Sequence, residues 1–220
     1  MMSARRIHLY VPGPVPSGPE FPKWINQPRG DDPNDLSLPR GRRLEPGNEA
    51  MDAGSGFPRD MEPPQLLHPE ATQQNPIDVF QIGRSLLIVS DRAKQSLASI
   101  DGEAFEFVEA RYRFEDGSPA PTMWLADVVR FVDASDEEKS DVYVRFITNW
   151  QTGQPVKRVS HQTRGAGFFY AAALNDVHVF RPLYSPFSIF LDDAVVAAAQ
   201  QQGWIGFDSW FVGIVDCASD

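Results

Sequence analysis

The segment of residues 159–165, VSHQTRG, holds side chains that could do catalytic chemistry. His161 lies beside Ser160 and near Arg164, so a catalytic dyad is one interpretation, and Asp176 is a third candidate member. Catalytic groups are defined by their arrangement in space rather than by sequence proximity, and a polar, exposed loop accounts for the same residues. An enzyme with a polar pocket around His161 and Arg164 is therefore kept as an alternative hypothesis.

The sequence lacks the spacings that metal and nucleotide sites require. Its histidines are far from one another: His8, His68, His161 and His178. A Walker loop, a dinucleotide fingerprint and a nucleophile elbow are also missing from the sequence. The pair Asp192 and Asp193 precedes an alanine-rich run, where aspartates cap a helix more often than they bind metal. We expect no catalytic residue, no metal site and no cofactor.

An acidic segment and a tryptophan are the candidates for contacting another protein. Residues 133–141, DASDEEKSD, lack the alternating oxygen ligands and the glycine of a calcium loop. They are either a solvated loop or an electrostatic contact for a basic partner, since exposed charges chiefly set association rate and specificity. A nearby loop-like segment carries a tryptophan, a residue enriched in interface hot spots. The predicted partner-binding residues are Asp133, Asp136, Glu137, Glu138, Asp141 and Trp150.

Composition predicts an acidic protein of a reducing compartment. The 220 residues carry a formal net charge of −10, which disfavours nucleic acids and anionic membrane surfaces and suits a basic protein partner. Cys217 is the only cysteine, so no internal disulfide can form. No apolar run approaches the roughly 18 residues that span a bilayer, and the first residues do not read as a secretory signal. We expect a cytoplasmic location, and homo-oligomerisation stays open.

Two segments, residues 79–112 and 178–213, share one order of elements and predict similar strand–helix–strand units. When Asp91 is aligned with Asp193, Phe105 coincides with Phe207 without a gap. The same order can arise by chance in any two such units, so we predict structural similarity and not duplication.

The two helices are predicted at residues 91–99 and 193–202. Aspartates can cap both N-termini, with Ser90 as the alternative cap of the first helix, and Gly203 ends the second. The packing face of the second helix is predicted from its small residues: Ala194, Ala197, Ala198 and Gln201.

Strands are predicted to outnumber helices after residue 76. Short β-type runs occur at residues 85–89, 105–114, 124–132, 142–147, 168–173, 177–180, 187–191 and 207–215. The predicted fold is α+β, with a mostly antiparallel sheet and a few helices.

Proline divides the chain, because fourteen of its nineteen prolines precede residue 77. Proline fixes φ and removes a hydrogen-bond donor, so residues 1–76 are predicted to form an extended arm. Only residues 6–11 are predicted to be a strand there. Large apolar side chains along the arm indicate that it wraps the domain of residues 77–220. An adaptor role for the arm, with residues 12–16 (PGPVP) as an extended ligand, is the other alternative.

Two quoted stretches carry a family resemblance. MWLADVVRFVDASDEEKS, residues 123–140, is followed by VFRPLYSPFSIFLDDAVVAAAQQQGWIGF, residues 179–207. Together they resemble the eleventh immunity-protein family of bacterial polymorphic-toxin systems, formerly a domain of unknown function. The likeness covers residues 77–215 well and the proline-rich arm poorly.

The resemblance implies a cytoplasmic bacterial protein that binds and neutralises a cognate toxin domain, encoded by a neighbouring gene. It implies neither catalysis nor a cofactor. It supplies no binding residues, because the shared pattern is mainly structural.

Overall fold

A computed structural model describes residues 5–12, 23–24, 54, 56–57, 65–68, 77–82, 86–114, 116–149, 152–162 and 166–216. The helices are α1 (Asp91–Asp101) and α2 (Asp193–Gln202), with short 3-10 turns at Gly102–Ala104 and Ala171–Leu174. The strands, in chain order, are β1 (Arg6–Pro12), β2 (Lys23–Trp24), β3 (Gln65–His68), β4 (Val79–Ile82), β5 (Leu86–Ser90), β6 (Phe105–Phe114), β7 (Met123–Val128), β8 (Phe131–Val132), β9 (Val142–Thr148), β10 (Pro155–His161), β11 (Gly167–Tyr170), β12 (Val179–Pro182), β13 (Phe190–Asp192) and β14 (Phe207–Asp216).

These strands form two six-stranded sheets and a separate hairpin. The first sheet has the order β2-β3-β6-β7-β5-β4, and the second has the order β11-β14-β1-β13-β12-β8. Among the described strands, β9 and β10 pair only with each other. Most pairings are antiparallel; β3–β6, β8–β12 and β11–β14 are parallel. The predicted α+β class with mostly antiparallel sheets is confirmed.

Each six-stranded sheet contains one of the predicted strand–helix–strand units. In the first, β7 runs antiparallel to both β5 and β6 and therefore separates two parallel strands joined by α1. In the second, β1 occupies the same position between β13 and β14, which α2 joins. Phe105 begins β6 and Phe207 begins β14, as the gap-free alignment predicts. The similarity of the two units is confirmed.

One apolar core joins the two units. It contains Ala93 and Leu97 of α1 and Val195 and Ala199 of α2, packed with side chains of both sheets. Two further clusters cover the other faces of the sheets. The central strands are thus buried on both sides, which explains why β5 is a continuous apolar run whose five residues are all buried.

Both helices begin at the predicted signals, and α2 ends at the predicted Gly203, whereas α1 extends two residues beyond its predicted end at residue 99. The Ser90 hydroxyl accepts from the Ala93 N–H at 3.3 Å, so Ser90 and not Asp91 caps α1. The Asp192 carboxylate accepts from the Ala194 N–H at 3.0 Å at the start of α2. Gly203 ends α2 in the left-handed conformation, with φ 59°, which glycine adopts without strain.

The predicted packing face of α2 is wrong. Val195, Val196 and Ala199 are buried, whereas Ala194 and Ala197 are exposed. Valine removes more apolar area from water than alanine does, so the valine side of the helix turns to the sheet. The alanines on the solvent side contribute helix propensity.

Several predicted strand boundaries also differ from the structure, and one predicted strand is two separate strands. The predicted strand 124–132 is two strands, because the chain leaves the first sheet after Val128 and joins the second at Phe131. The predicted strand 168–173 ends at Tyr170 and continues as a 3-10 turn, and the predicted strand 187–191 begins only at Phe190. Strand β10 lies outside the predicted runs because Pro155, Lys157 and Arg158 interrupt its apolar pattern.

The proline-rich segment contributes to both sheets. Besides β1, it supplies β2 and β3 at one side of the first sheet, so the expectation of a single strand there is wrong. Strand β1 has partners on both sides, which makes it an interior strand of the second sheet. Of the proposed ligand segment 12–16, only Pro12 is among the described residues.

Candidate partner-binding surface

The acidic segment 133–141, called the acidic turn below, connects β8 to β9. Asp136 is buried within it: its carboxylate accepts from the Lys139 N–H at 3.1 Å and pairs with the Lys139 ammonium at 3.4 Å. The Asp136 N–H donates to the Phe168 carbonyl at 2.9 Å, which holds the turn against β11. Asp136 therefore shapes the turn.

Two other carboxylates of the acidic turn have partners within the chain. Glu137 pairs with the Lys157 ammonium of β10 at 2.6 Å, and this hydrogen bond raises the pKa of Lys157. The Asp141 carboxylate accepts from the Ala166 N–H at 3.0 Å. Asp133 and Glu138 are exposed, and neither forms an ion pair with any residue that the structure describes. These two carboxylates are the ones most available to a partner, while Trp150 lies outside the described residues.

The β9–β10 hairpin, called the hairpin below, projects from the body beside the acidic turn. Its inner strand is anchored, because Val159 is buried and its N–H donates to the Tyr184 carbonyl at 3.0 Å. The outer strand β9 is exposed along nearly its whole length. Tyr143 is 62% exposed and Phe146 is 69% exposed. Clustered exposed apolar side chains of this kind are typical of protein interaction sites.

The last residue of β10 is the histidine considered above for catalysis. The His161 ring stacks on Phe169, with centroids 5.5 Å apart, and meets the edge of Phe190 at 5.0 Å. Its Nε2 lies 3.0 Å from the Ser135 hydroxyl, and its buried Nδ1 has no hydrogen-bond partner within the described chain. The expectation of an exposed loop histidine is wrong, because His161 shares the body-facing side of β10 with Val159.

The residues described around His161 do not form the hypothesised catalytic pocket. No carboxylate among them hydrogen-bonds to the imidazole, and Asp176 lies in an exposed turn with φ 55°. Arg164 lies outside the described residues. Within the part of the chain that the structure describes, no three His, Cys, Asp or Glu side chains group as metal ligands. None of the described helices is long and apolar enough to cross a membrane.

Replacing His161 with Phe is expected to flatten the acid dependence of stability. Burial lowers the pKa of His161 from 6.5 to about 4, opposed by the weaker influence of the Glu137 charge. The unfolded chain therefore binds this proton first as pH falls. The stability is therefore unaffected by this group above about pH 6.5. Between pH 6.5 and pH 4 the free energy of unfolding falls by up to roughly 2–3 kcal/mol, because the ring is largely buried. Urea denaturation between pH 7 and pH 4 measures the slope.

His161→Gln provides the matched control for that measurement, because glutamine also does not titrate. Both variants are expected to lose the same portion of the pH slope, although His161→Gln leaves a polar group among the phenylalanines and lowers stability at pH 7. Equal slopes in the wild type and both variants would contradict the buried, neutral state of His161.

The exposed hairpin is a candidate feature of the binding surface that the sequence did not reveal. The alternation of β9 predicts a strand, yet it does not tell which strands remain outside the core. The turn-forming residues 152–154, TGQ, between two β-type runs are the signal that could have identified a hairpin there. Its exposure follows only from the way β10 docks on the body.

Comparison with known proteins agrees with the residues quoted above. A model of the immunity protein family Imm11 matches residues 15–213, which includes the acidic turn, the hairpin and both strand–helix–strand units. The match also extends over most of the proline-rich segment, which the quoted resemblance covers only poorly. A search of curated proteins found no match. Because the family model covers most of the 220 residues, the chain belongs to the Imm11 immunity protein family.

Proposed function

We propose that this chain is a non-catalytic immunity protein that binds and neutralises a cognate bacterial toxin domain in the cytoplasm. The observation that carries the proposal is the family match over residues 15–213. Neutralisation would occur through a specific interface that covers or distorts the active site of the toxin, without chemistry on the part of the immunity protein. The toxin is expected to be encoded by a gene next to that of this chain.

The surface proposed for the toxin consists of the acidic turn and the hairpin. Exposed aromatic side chains such as Tyr143 and Phe146 can supply apolar contact area. Asp133 and Glu138 supply exposed negative charge that no described residue pairs with, in a chain with a formal net charge of −10. Complementary charge raises the rate of encounter and penalises wrong partners, so a toxin with a basic surface fits this side. Trp150, between the two hairpin strands in sequence, is kept as a proposed contact.

Co-expression of this chain is expected to restore growth to cells that produce the toxin domain of the neighbouring gene. The two proteins should also co-purify, and their association rate should fall with added salt, since salt screens exposed charges. A growth assay, a pull-down and stopped-flow measurements at two salt concentrations test these three results. Persistent toxicity together with failure to co-purify would refute the proposed function.

Charge reversal tests the contribution of the acidic turn within the same assays. Asp133→Lys combined with Glu138→Lys is expected to lower the association rate by roughly tenfold at low salt. Glu109→Lys combined with Asp208→Lys changes the net charge equally at two exposed positions outside the acidic turn and the hairpin. This control should lower the rate much less if the location of the charge, and not only the total charge, guides the toxin.

A further inference from the structure

Within the described part of the chain, strand β9 presents an unpaired backbone edge. Hydrogen bonds from the Asn149 N–H to the Gln154 carbonyl (2.8 Å) and from the Gln162 N–H to the Asp141 carbonyl (3.2 Å) set the phase of the hairpin ladder. Hydrogen-bonded pairs alternate along an antiparallel ladder. The backbone N–H and carbonyl groups of the odd-numbered residues of β9 therefore point towards β10, and those of the even-numbered residues point away from it. The N–H and carbonyl groups of Val144 and Phe146 therefore point away from β10. Among the described residues, no strand pairs with this edge.

The outer face of the hairpin carries two arginines directly opposite each other. Arg145 of β9 is paired in register with Arg158 of β10, and neither forms an ion pair with a described residue. Partial burial, followed by the charge of Arg145, lowers the pKa of Arg158. Like charges directly opposite each other destabilise a strand pair. An anion from a partner, placed beside these arginines, would offset this repulsion.

The two faces of the β9 edge differ in chemistry. Arg145 lies on the outer face, whereas its neighbours Val144 and Phe146 lie on the inner face, 39% and 69% exposed. A strand added beside β9 would place one side chain opposite Arg145 and its two neighbours opposite Val144 and Phe146. The Cβ atoms of each opposite pair would be about 5 Å apart. The complementary sequence is therefore an acidic residue between two apolar residues.

We propose that the toxin adds an extended segment to the free edge of β9, with a carboxylate against Arg145 and apolar side chains against Val144 and Phe146. Backbone hydrogen bonds to a sheet edge supply affinity, and alternate side chains supply specificity. The segment is a local acidic feature of the toxin, distinct from the basic surface expected against the acidic turn. Opposite charges at two adjacent places fix the register of the complex. This inference rests on the proposed function.

Binding of the neighbouring-gene toxin domain to hairpin variants tests the inference. Arg145→Glu is expected to weaken binding about 30-fold or more, because it sets two carboxylates against each other. Val144→Pro removes one outward N–H, at an edge position where proline is tolerated, and should weaken binding similarly. Arg111→Glu makes the same charge change at an exposed position of β6, in the first sheet, and should stay within about twofold of the wild type. Thermal unfolding of each variant verifies that it is folded.

Amide hydrogen exchange distinguishes strand addition from a purely electrostatic effect of Arg145, because a change of charge alone would not protect backbone amides. The Val144 and Phe146 amides should exchange at least about tenfold more slowly in the complex than in the free protein. If the wild type binds but these amides are unchanged and Arg145→Glu binds normally, the inference is wrong and the proposed function stands. If the wild type does not bind the toxin domain, the proposed function fails and the inference fails with it. Occupation of the edge by a second copy of this chain, or by RNA, would also overturn the inference.

Discussion

Deleting residues 1–12 is expected to prevent the chain from folding. Strand β1 lies between β13 and β14 and is hydrogen-bonded to both, so its removal divides the sheet and leaves each of these two strands with an unpaired edge. The deletion also removes Ile7, which is fully buried, and Tyr10, which is 6% exposed. Losses of this kind exceed the 5–15 kcal/mol that typically stabilises a domain. Circular dichroism and size-exclusion chromatography should report an unfolded or aggregated chain.

A shorter deletion provides the control. Removing residues 1–4 leaves β1 in place, and this variant is expected to fold like the full chain. A synthetic peptide of residues 5–12 added to the longer deletion should restore part of the structure, because the peptide can occupy the same position in the sheet. A cooperative thermal transition in the longer deletion without the peptide would contradict the interior role of β1. This experiment also separates a structural role of the N-terminal segment from an adaptor role.

Replacing Asp127 with Ala is expected to lower the free energy of unfolding by about 3–5 kcal/mol. Asp127 of β7 accepts from the Arg181 guanidinium of β12 at 3.1 Å, and both side chains are fully buried. Arg181 also donates to the carbonyls of Val128 and Pro186, each at 2.7 Å. Loss of the carboxylate therefore leaves a desolvated positive charge fixed between the two sheets. Urea denaturation at pH 7 measures the change.

A double variant shows whether the buried Arg181 charge, left without the Asp127 carboxylate, causes the loss of stability. Asp127→Leu combined with Arg181→Met removes both charges, so it should cost less than the two single changes added together. Arg6→Met disrupts an ion pair with Asp193 that is 3.0 Å long but largely exposed, and it should cost less than about 1 kcal/mol. A loss from Asp127→Ala as small as that from Arg6→Met would refute the prediction.

The buried Asp127–Arg181 pair also lies close in sequence and structure to the proposed interface. Residues Arg181 and Pro182 of β12 pair with Phe131 and Val132 of β8, and the acidic turn begins directly after β8. Asp127 additionally accepts from the N–H groups of Gly54 and Gly56, at 3.2 and 3.1 Å, which ties part of the proline-rich segment to β7. Variants of this pair should therefore weaken protection through a lower amount of folded protein, with little change in the affinity of the folded fraction.

Much of the local structure could be predicted because it depends on neighbouring residues. The N-cap at Asp192 and the C-cap at Gly203 involve hydrogen bonds within one or two helical turns. The equivalence of Phe105 and Phe207 follows from the equal lengths of two helices and their connections. The candidate site was less predictable, because Asp136 has the same side chain as Asp133 and yet is buried.

The sequence by itself determined the helices, most of the strands, the α+β class and the family, because short-range patterns and shared motifs encode them. Only the tertiary structure decided that β1 lies in the interior of the second sheet, about 180 to 210 residues from its partner strands in sequence. It likewise decided that His161 packs against phenylalanines and that, among the described strands, β9 has an open edge beside Arg145. The physical reason is that strand pairing and burial depend on contacts between distant segments, which an alternating pattern permits but does not specify.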